Sequence, residues 1–203
     1  MPKRRARTKE TEFVSHPRYG ALPHTSGLEV PEAEIRTGFW SLHRDVLFPE
    51  SVLLADPAKQ NFAVFPRKYY VDVRRQCRTC SRPFIFFAKE QRYWYEGLKF
   101  FVDADCVHCP SCRRDSRLVH RRLRRYSDLS AQKTMSDADL DTLVGDALFL
   151  FTRGSLKNIN ALGALKNRAL KQIPHFESTE ALQKALTAAN GQHSDASQET
   201  PSK

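Results

Sequence analysis

CVHCPSC, residues 106–112, holds three cysteines at steps of three, and CRTC, residues 77–80, holds two more. A CxxC turn puts two sulfurs within reach of one cation, and two such turns supply the four thiolates of a tetrahedral structural zinc site. Cys77 and Cys80 form one pair. The second is either Cys106/Cys109 or Cys109/Cys112. The intervening chain is longer than in compact zinc modules, and the strand-plus-helix pattern between the pairs accounts for the excess. Free thiols do not explain two separate CxxC pairs, and a redox CxxC opening a helix in a βαβ context is absent. A rubredoxin-like iron site would use the same ligands. Arg78, Arg82, Arg113 and Arg114 flank the cysteines and would offset the charge of four thiolates on a divalent ion. With every ligand position filled by protein, the metal would be structural.

Between the pairs, KYYVDVRRQ (68–76) alternates, with Tyr69, Val71 and Val73 on one face. That predicts a strand with one buried face. FIFFA (84–88) predicts a second short strand, and KEQRYWYEGL (89–98) a short helix ending near Gly97. The aromatic residues of FIFF and RYWY read as core before they read as a stacking platform for nucleic acid. Glu90 and Gln91 read as a helix cap or a hydrogen bond to the knuckle. Upstream, residues 13–35 are rich in Pro, Gly and His and read as irregular chain pinned to a surface. Residues 35–54 suggest short strands or turns broken near Pro49.

After Arg113 the pattern changes. Residues 113–126 read as a basic helix with Leu118, Val119 and Leu123 as its aliphatic anchors. Ser136 and Asp139 resemble a capping box. Leu140, Leu143, Val144, Ala147, Leu148 and Phe151 then follow at helical spacing, up to Gly154. Two more amphipathic segments, over about 155–172 and from Ser178, complete a small bundle.

The net charge is +10, and it is uneven. Residues 1–125 hold 25 Lys/Arg against 14 Asp/Glu, or +11, and the remainder holds 8 against 9, or −1. A polyanion would therefore meet the first part. Seven arginines lie between 113 and 125, and Arg114, Arg117, Arg121, Arg122, Arg124 and Arg125 are the candidate contacts to RNA or DNA, the alternative being a solvated helix whose charges pair with acidic patches of the C-terminal bundle. No stretch is long enough for a membrane-spanning helix, and MPKRRARTKE lacks the apolar core of a secretory signal. The expected setting is cytoplasmic, where cysteines bind metal more often than they form disulfides. No nucleotide-binding or hydrolase motif is present, and no enzyme activity is expected.

CRTCSRPFIFFAKEQRYWYEGL followed by CPSCRR resembles the probable zinc-ribbon domain family of largely bacterial proteins. Its pattern is a CxxC knuckle, a Phe-rich strand, an E-Q-x-aromatic-aromatic helix, and a closing CxxC followed by Arg. Residues 69–114 carry the match, with HPRYG (16–20) as a looser upstream element. The resemblance implies zinc, no catalysis, and Cys109/Cys112 as the closing pair. The Pro110-Ser111 turn agrees, leaving Cys106 as a small buried hydrophobe, with its role as an alternative ligand kept open. Ser81 departs from the pattern, standing where such knuckles carry Gly.

The expected architecture is α+β. A disordered basic arm (1–12) precedes an irregular or β extension (13–68), a small β-rich zinc ribbon (69–114) and a basic helical connector (115–135). An α-helical bundle (136–190) and a disordered tail (191–203) follow. The expected function is non-enzymatic: one structural Zn2+ on Cys77, Cys80, Cys109 and Cys112, with the arginine-rich segment on RNA or DNA. The alternatives are an adaptor that binds a protein partner through its helical bundle, and a thiol redox protein.

Overall fold

A computed structural model describes residues 12–195. The expected basic arm, apart from Glu12, and residues 196–203 of the expected tail lie outside the described residues. The fold is α+β. Three antiparallel strands, β1 (Val46–Leu54), β2 (Tyr69–Gln76) and β3 (Pro83–Phe86), form one sheet in the order β1-β2-β3. The described α-helices are α1 (Glu32–Thr37), α2 (Ala88–Arg92), α3 (Pro110–Ser130), α4 (Asp137–Thr152), α5 (Ile159–Gln172) and α6 (Glu177–Asp195). The chain divides into two compact units, Met1–Asp115 and Ser116–Lys203.

In the first unit β2 is buried on both faces from Tyr70 to Val73, where the sequence pattern suggests only one buried face. Asp72 explains the difference. Its carboxylate lies in the interior and accepts the backbone N–H groups of His24 at 2.9 Å and Ala88 at 2.6 Å. The N-terminal segment thus covers the face that alternation assigns to solvent. Satisfied by two amides, a buried carboxylate is tolerated there. Its pKa is still raised, because burial outweighs those two bonds.

Pro49 does not break β1. Pairing to β2 holds from Val46 to Phe48 and resumes at Leu53. The proline falls in the bulge between, where no ladder donor is required. Ser51 fills the gap, donating to Phe48 O at 2.7 Å and accepting Asp72 N at 2.7 Å. The 13–35 segment also holds an unexpected turn of helix, α1, which buries Ile35 completely. The helix is too short for a 3.6-residue period to show.

The FIFF residues Phe84 to Phe87 and Tyr95 are all buried, so they form core. Tyr93 alone of RYWY's aromatic residues is well exposed. Gln91 donates to Val71 O at 2.6 Å and Phe86 O at 2.9 Å, tying α2 to the sheet. Arg67, itself buried, donates twice to Val102 O and lies 3.9 Å from the Phe39 ring centroid. It fastens the loop that leads to the second cysteine cluster.

In the second unit α4, α5 and α6 close around Leu140, Val144, Leu162, Ile173 and Leu182. Ser136 caps α4, accepting Asp139 N at 3.2 Å. Gly154, at φ +69°, ends it in the left-handed conformation that glycine adopts at no steric cost. The helix α5 starts at Ile159, later than the apolar pattern suggests. Residues 155–158 form the turn out of α4, and Asn158 supplies the cap through Ala161 N. At the other end α6 continues to Asp195, past Gly191, where the sequence pattern places the start of the tail. One glycine weakens a helix by about 1 kcal/mol without breaking it.

Candidate metal centre and basic helix

Cys77 directly follows β2, and Cys80 lies three residues on, in a tight turn before β3. Ser81 N donates to Cys77 O at 2.9 Å, and Cys77 N donates to Arg82 O at 3.0 Å, closing the knuckle. Ser81 takes φ +56°, the left-handed conformation that favours glycine. The knuckle is tied to the second cysteine cluster by Arg78 N on Val107 O at 3.0 Å and by Thr79 Oγ1 with His108 Nδ1 at 3.1 Å.

The second pair is presented differently from the first. Pro110 opens α3, so Cys109 precedes the helix and Cys112 lies in its first turn. Proline suits that first position, where its missing N–H is no loss. The Cys109 sulfur accepts the backbone N–H of Cys112, as a capping oxygen would. The helix therefore begins five residues before the expected connector (115–135) and lies partly inside the segment assigned to the ribbon. It ends at Ser130.

The sulfurs of Cys77, Cys80, Cys109 and Cys112 lie within 4.8 Å of one another, and Cys80 and Cys109 are 3.8 Å apart. Tetrahedral sulfurs about 2.3 Å from a zinc ion would be about 3.8 Å apart, so the donor set fits such an ion. Cys77 and Cys109 are buried, Cys112 is half-buried and Cys80 is exposed.

The thiol acidities fit a cation. For Cys77, burial works against ionisation, but backbone N–H groups of Cys109, Cys80 and Thr79 overcome it and lower the pKa to about 5. Burial raises the pKa of Cys109 and of Cys112, and the sulfurs of Cys77 and Cys80 add to the rise in both, while the bonds from Cys112 only partly offset it in Cys109. One thiolate makes the next harder to form, and only a cation at the centre makes all four favourable. Cys106 lies outside this set. It is buried, its thiol donates to His108 O at 3.5 Å, and burial pushes its pKa up to about 12.

The candidate nucleic-acid residues separate into two groups. Arg122 Nη1 donates to Asp146 Oδ1 at 2.9 Å, and Arg125 grips both oxygens of the same carboxylate at 2.6 and 2.7 Å. Asp146 is fully buried in α4. Arg122 and Arg125 therefore tie α3 to α4, and the donors they use there are turned to the protein's own packing. Arg114, Arg117, Arg121 and Arg124 are exposed. At about 100° and 1.5 Å per residue they form a stripe about 80° wide and 15 Å long on α3.

One charged group, Asp146, escapes the sequence reading, and a second, Glu90, is foreseen only as a helix cap or a hydrogen bond to the knuckle. Asp146 falls in step with Leu143 and Leu150 on the buried face of α4, and a carboxylate on an apolar stripe signals a basic partner. Glu90 is buried and accepts Arg113 Nη1 at 2.7 Å, with His16 Nε2 at 3.6 Å from the same oxygen. Its carboxyl is destabilised by burial, but these two partners more than compensate and hold its pKa low.

A knuckle, a short antiparallel pair and a helix whose N-terminal end presents the closing cysteines define a treble-clef, zinc-finger-like domain with a four-cysteine metal site. Residues 71–120 match the family model described as "Probable treble clef domain". No curated protein and no solved structure matches the chain. Among the described residues no helix is long and apolar enough to cross a membrane.

Proposed function

We propose that this chain is a non-enzymatic, cytoplasmic zinc protein. Cys77, Cys80, Cys109 and Cys112 hold one structural Zn2+, and the exposed arginines of α3 contact the phosphates of RNA or DNA. The observation that carries the metal reading is the convergence of four thiols within 4.8 Å. All four positions of a tetrahedral ion are taken by protein, which leaves none for a substrate or a reactive water. The donors are soft thiolates, and zinc takes a four-cysteine site without redox chemistry. The polyanion reading rests on Arg114, Arg117, Arg121 and Arg124 sharing one exposed stripe of a strongly basic chain.

Elemental analysis of purified protein tests the first half, with one zinc per chain expected. Iron in its place would overturn the choice of metal, and metal-free folded protein would overturn the site. Fluorescence anisotropy with labelled RNA and DNA tests the second half. Binding should weaken steeply as salt rises. Absence of binding at low salt would refute it and leave the helical bundle, as a protein-binding surface, the better reading.

A further inference from the structure

The two halves of the metal centre come from distant parts of the sequence, and one segment reaches both. Val14 N donates to Pro83 O at 2.9 Å and pairs with Phe84 in a parallel bridge, just beyond the knuckle that Arg82 closes. Two residues on, His16 begins the HPRYG turn, closed by His16 N on Gly20 O and Gly20 N on His16 O, with Gly20 at φ +78°. The imidazole Nδ1 accepts the N–H groups of Arg18 at 3.1 Å and Tyr19 at 3.2 Å. That bonding assigns the ring proton to Nε2. Stacking on Tyr19, at 4.6 Å between centroids, and edge contact with Phe87 fix the ring. Nε2 faces Glu90 Oε1, which also receives Arg113 Nη1. Arg113 follows Cys112 directly, and its backbone N–H bonds Cys109 O at 3.0 Å.

We propose that residues 14–20 are part of the metal centre and act as its clip. Val14 fixes the knuckle half, and His16 positions the helix half through Glu90 and Arg113, so the segment governs how slowly the ion leaves. This rests on the four-cysteine reading above. His16 and Glu90 are positioning residues. Neither reaches the ion, and each orients the turn that carries ligands. Outer groups of this kind typically alter metal affinity by about ten- to a hundredfold.

The test uses the full-length zinc-loaded chain and follows metal transfer to the chelating dye 4-(2-pyridylazo)resorcinol by absorbance. His16→Ala and Glu90→Gln should each speed release by about tenfold or more. The double variant should be no faster than the faster single, because both act in one chain of contacts. Ser51→Ala is the control. It leaves Asp72 N without its buried partner and so weakens the same unit, yet it should release zinc at the wild-type rate. An unchanged rate in His16→Ala would overturn the proposal, and so would an equal acceleration in Ser51→Ala. If Glu90→Gln does not fold, His16→Ala and the control decide alone. Wild-type protein without metal would overturn the four-cysteine reading and the clip with it, a failure visible before any variant is made.

Discussion

Removing the two arginines that meet Asp146 should cost more than removing Asp146 itself. The carboxylate has no exposed surface, whereas the side chains of Arg122 and Arg125 keep 32% and 51% of theirs. In Asp146→Ala three charge-assisted bonds are lost, but both guanidinium groups can turn to water and the burial cost of the carboxylate disappears. A net loss of about 1–3 kcal/mol follows. In Arg122→Ala/Arg125→Ala the carboxylate stays buried with its three donors gone, and leaving one partner of a buried pair behind costs about 3–5 kcal/mol. The triple variant should recover most of the difference, because it removes the stranded charge. Urea unfolding followed by far-ultraviolet circular dichroism, with the four proteins forming a double-mutant cycle, measures each step. A double-arginine variant within about 0.5 kcal/mol of wild type would refute the reasoning, since surface substitutions fall in that range. It would return Arg122 and Arg125 to the exposed stripe.

Cys112→Ser should lose its metal and Cys106→Ser should keep it, read by elemental analysis. The reverse result would make Cys106 the ligand. Stripping metal with a chelator should change the emission of both tryptophans, Trp40 and Trp94, which lie in the first unit. The helical signal of the bundle should largely persist, because its apolar cluster is separate. Four arginine–phosphate contacts predict a slope of about −3.6 in log K against log salt on duplex DNA, or about 150-fold weaker binding between about 50 and 200 mM salt. Arg121→Ala/Arg124→Ala should reduce that slope by about 2, while Arg122→Ala/Arg125→Ala should leave it in place if the protein is folded. Ser81→Gly should stabilise the knuckle by up to about 1 kcal/mol, because the left-handed strain relieved exceeds the entropy that glycine adds to the unfolded chain. Thermal unfolding of zinc-loaded protein checks it, and a destabilised variant would mean the Ser81 side chain contributes more than its strain costs.

The metal site was legible in the sequence because ligand chemistry is local: CxxC fixes two sulfurs within one turn whatever surrounds it. The presentation of the second pair was not. Pro110-Ser111 suits a tight turn and the first turn of a helix equally well, and only the continuation through Arg113 and Arg114 decides between them. Alternation failed at Asp72 for a related reason. Its partners, the amides of His24 and Ala88, are backbone atoms and leave no mark in residue type. The arginine-rich stretch left its two readings undivided for a third reason. Seven arginines in thirteen positions look uniform in sequence, but a helix sorts them by angle. Arg122 and Arg125 reach a buried acid on α4, and Arg114, Arg117, Arg121 and Arg124 are exposed. A mark for that division was present twenty-one residues beyond Arg125, at Asp146, in step with Leu143 and Leu150. A buried carboxylate needs cations, and α3 supplies them from the side turned inward. Composition alone therefore overstates any phosphate-binding surface by the arginines the fold uses for itself.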